Sequence, residues 1–146
     1  MKNLTVKEII EVTKGELIQG DIDYICKSYS KDTRTIQKGD TYLAIKGENF
    51  DGNLFWKQAL EKGADCVIVS EIAYEEEKDK EVLKGKTIIK VEDTLEALYK
   101  IAERKRSFYA IPVIAITGSV GKTSTKDIVA NVVSQKYKTL KTMRKQ

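Results

Sequence analysis

Histidine is absent from this chain, which excludes Ser-His-Asp and Cys-His catalysis and any histidine metal site. Cysteine occurs twice. Cys66 lies in the apolar run Cys66-Val67-Ile68-Val69 and Cys26 follows Ile25, so both read as small core residues and no disulfide is expected. Proline occurs once, at Pro112, where it marks a connection between elements. No apolar run approaches the ~20 residues that a membrane helix needs. The opening Met1-Lys2-Asn3-Leu4-Thr5 leads into a charged amphipathic segment and does not resemble a signal peptide. A cytoplasmic location, away from membranes, is the default expectation. Aromatic residues are 8% of the chain and do not interleave with its basic residues, so nucleic acid is not an expected partner. Lys136, Lys138, Lys141, Arg144 and Lys145 cluster at one end and read as a solvated helix end and frayed tail.

What remains is an ordinary globular composition: 146 residues, 41% hydrophobic, 33% charged, net charge +4. That length can bury one sizeable core. Thr5 and Glu8 form a capping box ahead of Ile9, Ile10 and Val12, predicting a first helix closed at Gly15. Strands are expected around 16–18, 24–26, 41–45, 66–70 and 87–91. Helices are expected over 54–62, over the highly charged 75–84 and from Asp93 or Thr94 to about Ser107. Strands alternating with helices predict an α/β fold. The natural boundary falls at 108–112, giving a small mixed-sheet domain over 1–111. The start of a parallel-sheet nucleotide-binding domain would follow over 112–146.

The most informative segment is 114–126, Ile-Ala-Ile-Thr-Gly-Ser-Val-Gly-Lys-Thr-Ser-Thr-Lys. Val113, Ile114, Ala115 and Ile116 predict a short buried parallel strand. Thr117, Gly118, Ser119, Val120, Gly121, Lys122, Thr123 and Ser124 then form a glycine loop opening a helix. Glycines let successive backbone N–H groups point at an anion, and the helix adds its positive end. In this pattern Lys122 reaches the terminal phosphates and the Thr123 hydroxyl sits on magnesium. Ser119, Ser124 and Thr125 either bond phosphate or cap the helix. The general pattern G-x-x-x-x-G-K-[ST] places its first glycine where Ile116 stands. The bland alternative is a strand–turn–helix corner with a chance Gly-Lys-Thr. Ile128, Val129, Val132 and Val133 follow at core-facing helical spacing.

Thr117-Gly118-Ser119-Val120-Gly121-Lys122-Thr123-Ser124-Thr125-Lys126 resembles the ATP loop of the Mur ligases, which build the peptide stem of bacterial cell-wall precursors. Upstream, Ser30-Lys31-Asp32-Thr33-Arg34 with Lys38-Gly39-Asp40 resembles the Asp-(Ser/Thr)-Arg segment of their N-terminal domain. Tyr42-Leu43-Ala44-Ile45 and Lys46-Gly47-Glu48-Asn49-Phe50-Asp51-Gly52 resemble its next strand and Gly-x-x-x-Asp-Gly loop. Ala59, Gly63 and Ala64, and the helix start Val91–Leu98, fit the same domain. Asn53 stands where the family often has histidine. The resemblance covers essentially the whole chain, most specifically in the ATP loop.

That resemblance implies an ATP- and Mg2+-dependent ligase, with D-alanyl-D-alanine joined to UDP-N-acetylmuramoyl-tripeptide as the activity matched best. The peptide's terminal carboxylate attacks the γ-phosphate of ATP, and an amine displaces phosphate from the acyl-phosphate. Lys122 is the expected catalytic charge and Thr123 the metal contact. Ser30, Asp32, Thr33 and Arg34, with Lys46, Gly47, Asn49, Asp51 and Gly52, are the expected binders of the UDP end, Arg34 through its forked donors. From the residues alone, Asp32-Thr33 and Asp51-Gly52 read equally as ordinary turns. Asn49 and Asp51 serve either the ligand or the loop. The resemblance also implies a monomer. It places the rest of the ATP domain, the acidic magnesium ligands and the D-alanyl-D-alanine site outside this chain, which therefore reads as a truncated ligase without activity of its own. Two alternatives are a sister ligase that adds a single amino acid and a non-catalytic module that holds a UDP-sugar peptide. An unrelated phosphate-loop regulator does not account for the upstream motifs.

Overall fold

The computed structural model describes residues 2–72 and 76–143, so Glu75 of the predicted charged helix and Arg144 and Lys145 of the basic tail lie outside the described residues. The chain forms two compact units, Met1–Tyr109 and Ala110–Gln146.

The first unit contains β1 (Leu4–Thr5), α1 (Val6–Thr13), β2 (Glu16–Gln19), β3 (Ile25–Cys26), β4 (Tyr29–Ser30) and β5 (Thr41–Leu43). A 3-10 turn over Gly52–Phe55 then leads into α2 (Trp56–Glu61), followed by β6 (Cys66–Val69), α3 (Glu76–Leu83), β7 (Thr87–Lys90) and α4 (Thr94–Ser107). Five strands form one sheet in the order β2-β7-β6-β5-β4. β7, β6, β5 and β4 run parallel, and β2 closes one edge antiparallel to β7. β1 and β3 make a separate antiparallel pair.

Side-chain alternation along the strands splits the core in two. Leu43, Cys66, Ile68 and Ile89 face Val6 and Ile9 of α1 and Ala97 and Ile101 of α4. Tyr42, Val67, Val69 and Ile88 face Trp56, Ala59 and Leu60 of α2 and Leu83 of α3. A parallel sheet buried on both faces needs near-continuous apolar strands, and all four residues of β6 are buried. Both cysteines are buried and free.

The α/β reading holds, with local differences. The helix α1 has its capping box: the Thr5 hydroxyl accepts from the Glu8 backbone N–H at 3.2 Å, and the Thr5 N–H donates to Glu8 Oε2 at 3.0 Å. Its left-handed terminal residue is Lys14, one before the predicted Gly15. β5 stops at Leu43, because the Ile45 N–H turns back onto the Leu43 carbonyl at 2.9 Å. The two-residue strands β1 and β4 carry no sequence period long enough to predict.

The second unit is an irregular segment, the glycine loop and α5 (Lys122–Ser134). The strand predicted over Val113–Ile116 does not form. A strand needs a neighbour for its backbone hydrogen bonds. No strand among the described residues pairs with this run, and Val113 and Ile114 are 69% and 62% exposed. Ile128 and Val132, predicted to face a core, are exposed as well.

Candidate functional site

In parallel sheets ligands gather beyond the carboxyl ends of the strands. Two cavities of the first unit sit there, on either side of the loop that follows β5. The larger is a groove of about 760 Å³. One wall is the turn directly after β4, with Lys31, Asp32, Thr33 and Arg34. Ile45, Gly47 and Phe50 come from the loop after β5, and Phe55, Gln58 and Lys62 from α2 and its flanks.

The β4 turn is built by short polar side chains. The Ser30 hydroxyl donates to the Asp32 carbonyl at 3.0 Å and accepts from the Asp32 N–H at 3.2 Å. Asp32 accepts the Arg34 backbone N–H at 2.9 Å and chelates its guanidinium, Nε at 3.0 and 3.1 Å and Nη2 at 2.6 Å. These Arg34 donors, side chain first and then backbone, pull the Asp32 carboxyl down to about 2. The guanidinium is thereby held in one orientation, yet the Arg34 side chain is 84% exposed. The Thr33 hydroxyl crosses to α2 and donates to Gln58 Oε1 at 2.8 Å. Below this turn, buried Asp40 accepts from the Ser28 hydroxyl and from the Gln37 N–H at 2.8 Å, which shapes the Lys38-Gly39-Asp40 corner. Ser30 and Asp32 thus satisfy local turn bonds and also present Arg34 to the groove.

The loop after β5 divides its predicted residues between two jobs. Lys46 and Asp51 bridge across its base, and the Gly47 N–H donates to the Phe50 carbonyl at 2.8 Å. Gly47 lines the groove and Asn49 stands exposed at the tip. Asp51 caps the 3-10 turn, accepting from the Asn53 N–H at 2.8 Å. Gly52 is buried, and a Cβ there would stand 2.7 Å from the Ile45 carbonyl oxygen, so packing alone demands glycine. Its own carbonyl accepts the Tyr42 hydroxyl at 3.0 Å. The buried Asn53 side chain is spent inside the protein, on Asp51, Ser70 and the Glu71 backbone N–H.

Lys46 points elsewhere. Its ammonium pairs with Glu71 at 2.6 Å, which raises its pKa, and stands 3.8 Å from Asp51. With Ser70, Glu71, Glu92, Asp93 and Thr94 it lines the second cavity, about 320 Å³. The groove therefore unites Asp32, Thr33, Arg34 and Gly47 of the predicted set, and Lys46 lies in the neighbouring acidic cavity. Phe55, Gln58 and Lys62 were not among the predicted binders, and Phe50, though within the predicted loop, was not singled out. Their signal is faint, because a helix face with one aromatic, one amide and one lysine looks like any solvated face.

In the second unit, Gly118 and Gly121 both have positive φ, +150° and +80°. No L side chain adopts such angles freely. Gly121 is the N-cap of α5, and no side chain caps that end. The first-turn N–H groups, of which Lys122, Thr123 and Ser124 carry three, are left without an intrahelical partner. The Lys122 ammonium donates to the Gly118 carbonyl and so hangs over its own loop. Backbone donors, a helix N-terminus and one ammonium converge there, the chemistry of a polyphosphate cradle. Thr117, Ser119 and Val120 are exposed along the same loop.

The chain as a whole resembles known proteins of one family. The sequence profile described as "Mur ligase family, catalytic domain" matches residues 27–106, all within the first unit. A UDP-N-acetylmuramoyl-tripeptide–D-alanyl-D-alanine ligase from Synechocystis is 45% identical over 106 residues, covering 71% of this chain and 22% of that protein. The crystal structure of MurF from Acinetobacter baumannii superposes with a TM-score of 0.78 at 29% identity, over 93% of this chain and 28% of that one. MurF from Thermotoga maritima, solved in complex with ADP, gives 0.64 at 30% identity, over 75% and 24%. The chain thus spans about a quarter of the length of the relatives it matches. The profile match over more than half of the chain places this chain in the Mur ligase family.

Proposed function

We propose that this chain is the N-terminal part of an ATP-dependent ligase that joins D-alanyl-D-alanine to UDP-N-acetylmuramoyl-tripeptide. The first unit holds the UDP end of the peptide substrate in its groove, and the second starts the ATP site. The observation that carries this reading is Arg34, locked by Asp32 yet exposed over a groove at the strand ends. A forked, oriented, fully charged donor of that kind suits a diphosphate. In the other unit, two positive-φ glycines and an uncapped helix start suit the phosphates of ATP.

Phosphoryl transfer asks little of a protein beyond positioning and charge neutralisation. Lys122 supplies a cation at the γ-phosphate while the carboxylate attacks. The N–H groups of 118–124 would cradle the β- and γ-phosphates. Magnesium supplies further neutralisation when bound, with the Thr123 hydroxyl as this chain's contact. Among the described residues no group of three or more His, Cys, Asp or Glu side chains forms a metal site of its own.

Binding experiments on the 146-residue chain test this. UDP-N-acetylmuramoyl-tripeptide and a non-hydrolysable ATP analogue are expected to saturate independent sites. Arg34→Ala weakens the first and Lys122→Ala the second. Absence of saturable UDP-peptide binding by the parent chain refutes the assignment of the groove.

A further inference from the structure

The helix α2 and its flanks carry a stripe that the assignments above leave unused. Phe55, Gln58 and Lys62 are spaced i, i+3 and i+7, which puts them on one helical face. All three line the groove opposite the β4 turn. Gln58 is fixed there by the Thr33 hydroxyl at 2.8 Å. Phe55 is fixed by Phe50, whose ring stacks on it with centroids 5.4 Å apart and planes 6° from parallel. Lys62 enters none of the ion pairs found among the described residues. Its charge nevertheless reaches Asp32 and contributes to lowering that carboxyl. Lys62 and Arg34 thus line the same groove as two cations.

The stripe thus runs from an aromatic face to a free cation. Seven residues of helical rise set the two ends roughly 10 Å apart, a separation of the order of a nucleoside diphosphate from base to terminal phosphate. Phe50 is 55% exposed at one end. A flat ring in a groove stacks any nucleobase, since every base has a π-face. The cationic end complements phosphate. Between them the Gln58 amide, its oxygen engaged by Thr33, keeps N–H donors for a sugar hydroxyl.

We infer that α2 orients the nucleotide end of the substrate: the base stacks on Phe50, backed by Phe55, and Lys62 shares the diphosphate charge with Arg34. This rests on the reading of the groove as the UDP site and adds to it Phe55, Gln58 and Lys62 of α2 and its flanks, which the strand-end motifs do not contain, and a stacking role for Phe50.

The test titrates the whole 146-residue chain with UDP and with uridine, following NMR shifts so that weak binding is still measured. Lys62→Ala is expected to weaken UDP about tenfold and to leave uridine within about twofold. Phe50→Ala is expected to weaken both ligands about tenfold, and Phe50→Tyr to restore both. Phe50 and Lys62 are exposed, so thermal melts of all three variants should match the parent. An unchanged UDP affinity in Lys62→Ala, an equal loss for uridine, or an unaffected Phe50→Ala overturns the inference. If the parent binds UDP and only the α2 and Phe50 variants are silent, the groove assignment survives and this inference falls. If the parent binds neither ligand, the groove assignment itself falls, and the inference with it.

Discussion

Replacing Tyr42 by phenylalanine removes one oxygen from a buried part of the groove wall. Tyr42 is fully buried on β5, and its hydroxyl donates to the Gly52 carbonyl at 3.0 Å. That bond ties the end of the loop after β5 back to the sheet. Deleting it forfeits a net hydrogen bond to a buried carbonyl, about 1 kcal/mol and at most about twice that, because the same carbonyl also serves the 3-10 turn that Gly52 opens. No water-sized gap is gained, because only one atom is removed. A loss of about 1–2 kcal/mol in a unit of this size lowers the melting temperature by roughly 5–10 °C. Tyr24 provides the internal control. Its hydroxyl donates to the Gly39 carbonyl, also at 3.0 Å, but this bond is only half-buried. Water can replace it, so Tyr24→Phe should cost under about 1 kcal/mol. Differential scanning calorimetry of both variants measures the order directly. A Tyr42→Phe melt equal to the parent, or a larger effect from Tyr24→Phe, would refute the argument that burial of the Gly52 carbonyl sets the cost.

Thr5→Ala removes the capping box of α1 and should cost about 1 kcal/mol, read as a lower midpoint in urea with an unchanged slope. The Asp32 carboxyl, followed by NMR, should titrate near 2 in the parent and return toward the ordinary 3.8 in Arg34→Ala. Since the folded value lies below the unfolded one, whatever the pair adds to stability is complete above about pH 4 and fades as pH falls through about 2; an Asp32 midpoint unmoved by the substitution contradicts the chelate. Within a full-length ligase carrying this chain, Lys122→Ala should lower kcat on the order of 10²–10³-fold with little change in UDP-substrate affinity. Arg34→Ala should mainly raise the KM for that substrate, and steady-state kinetics showing the same kcat effect for both would merge the two sites. A chain ending at Ala110 should melt cooperatively, and a broad, non-cooperative melt would show that its core needs the later residues.

The signals legible in the sequence were the local ones. Thr5 and Glu8 satisfy each other within one turn, so their helix start needs no knowledge of the fold. The all-apolar Cys66–Val69 run announces a strand covered on both faces, and Gly118 and Gly121 announce a loop of unusual backbone. The Val113–Ile116 run announced a strand equally clearly, yet it lies exposed, because a strand is a relation between segments and apolar character is only half of it. The site divides in the same way. Asp32 and Arg34 are two residues apart, so their chelate is a local event within the motif that singled them out. Asp51 and Gly52 belong to the same resemblance, but tertiary contacts spend one on a cap and demand the other for close packing with Ile45. Lys46 is next to Gly47 in sequence, yet Glu71 draws its ammonium into a different cavity. The chain by itself determined the α/β class, the helix starts and the unusual backbone of the glycine loop, since each depends on residues within a few positions of one another. Only the tertiary structure decided which side chains share the groove. Strand order sets β4 beside β5 and lays α2 across from the β4 turn, so Arg34 and Lys62, 28 positions apart, line one groove through packing that no local pattern encodes.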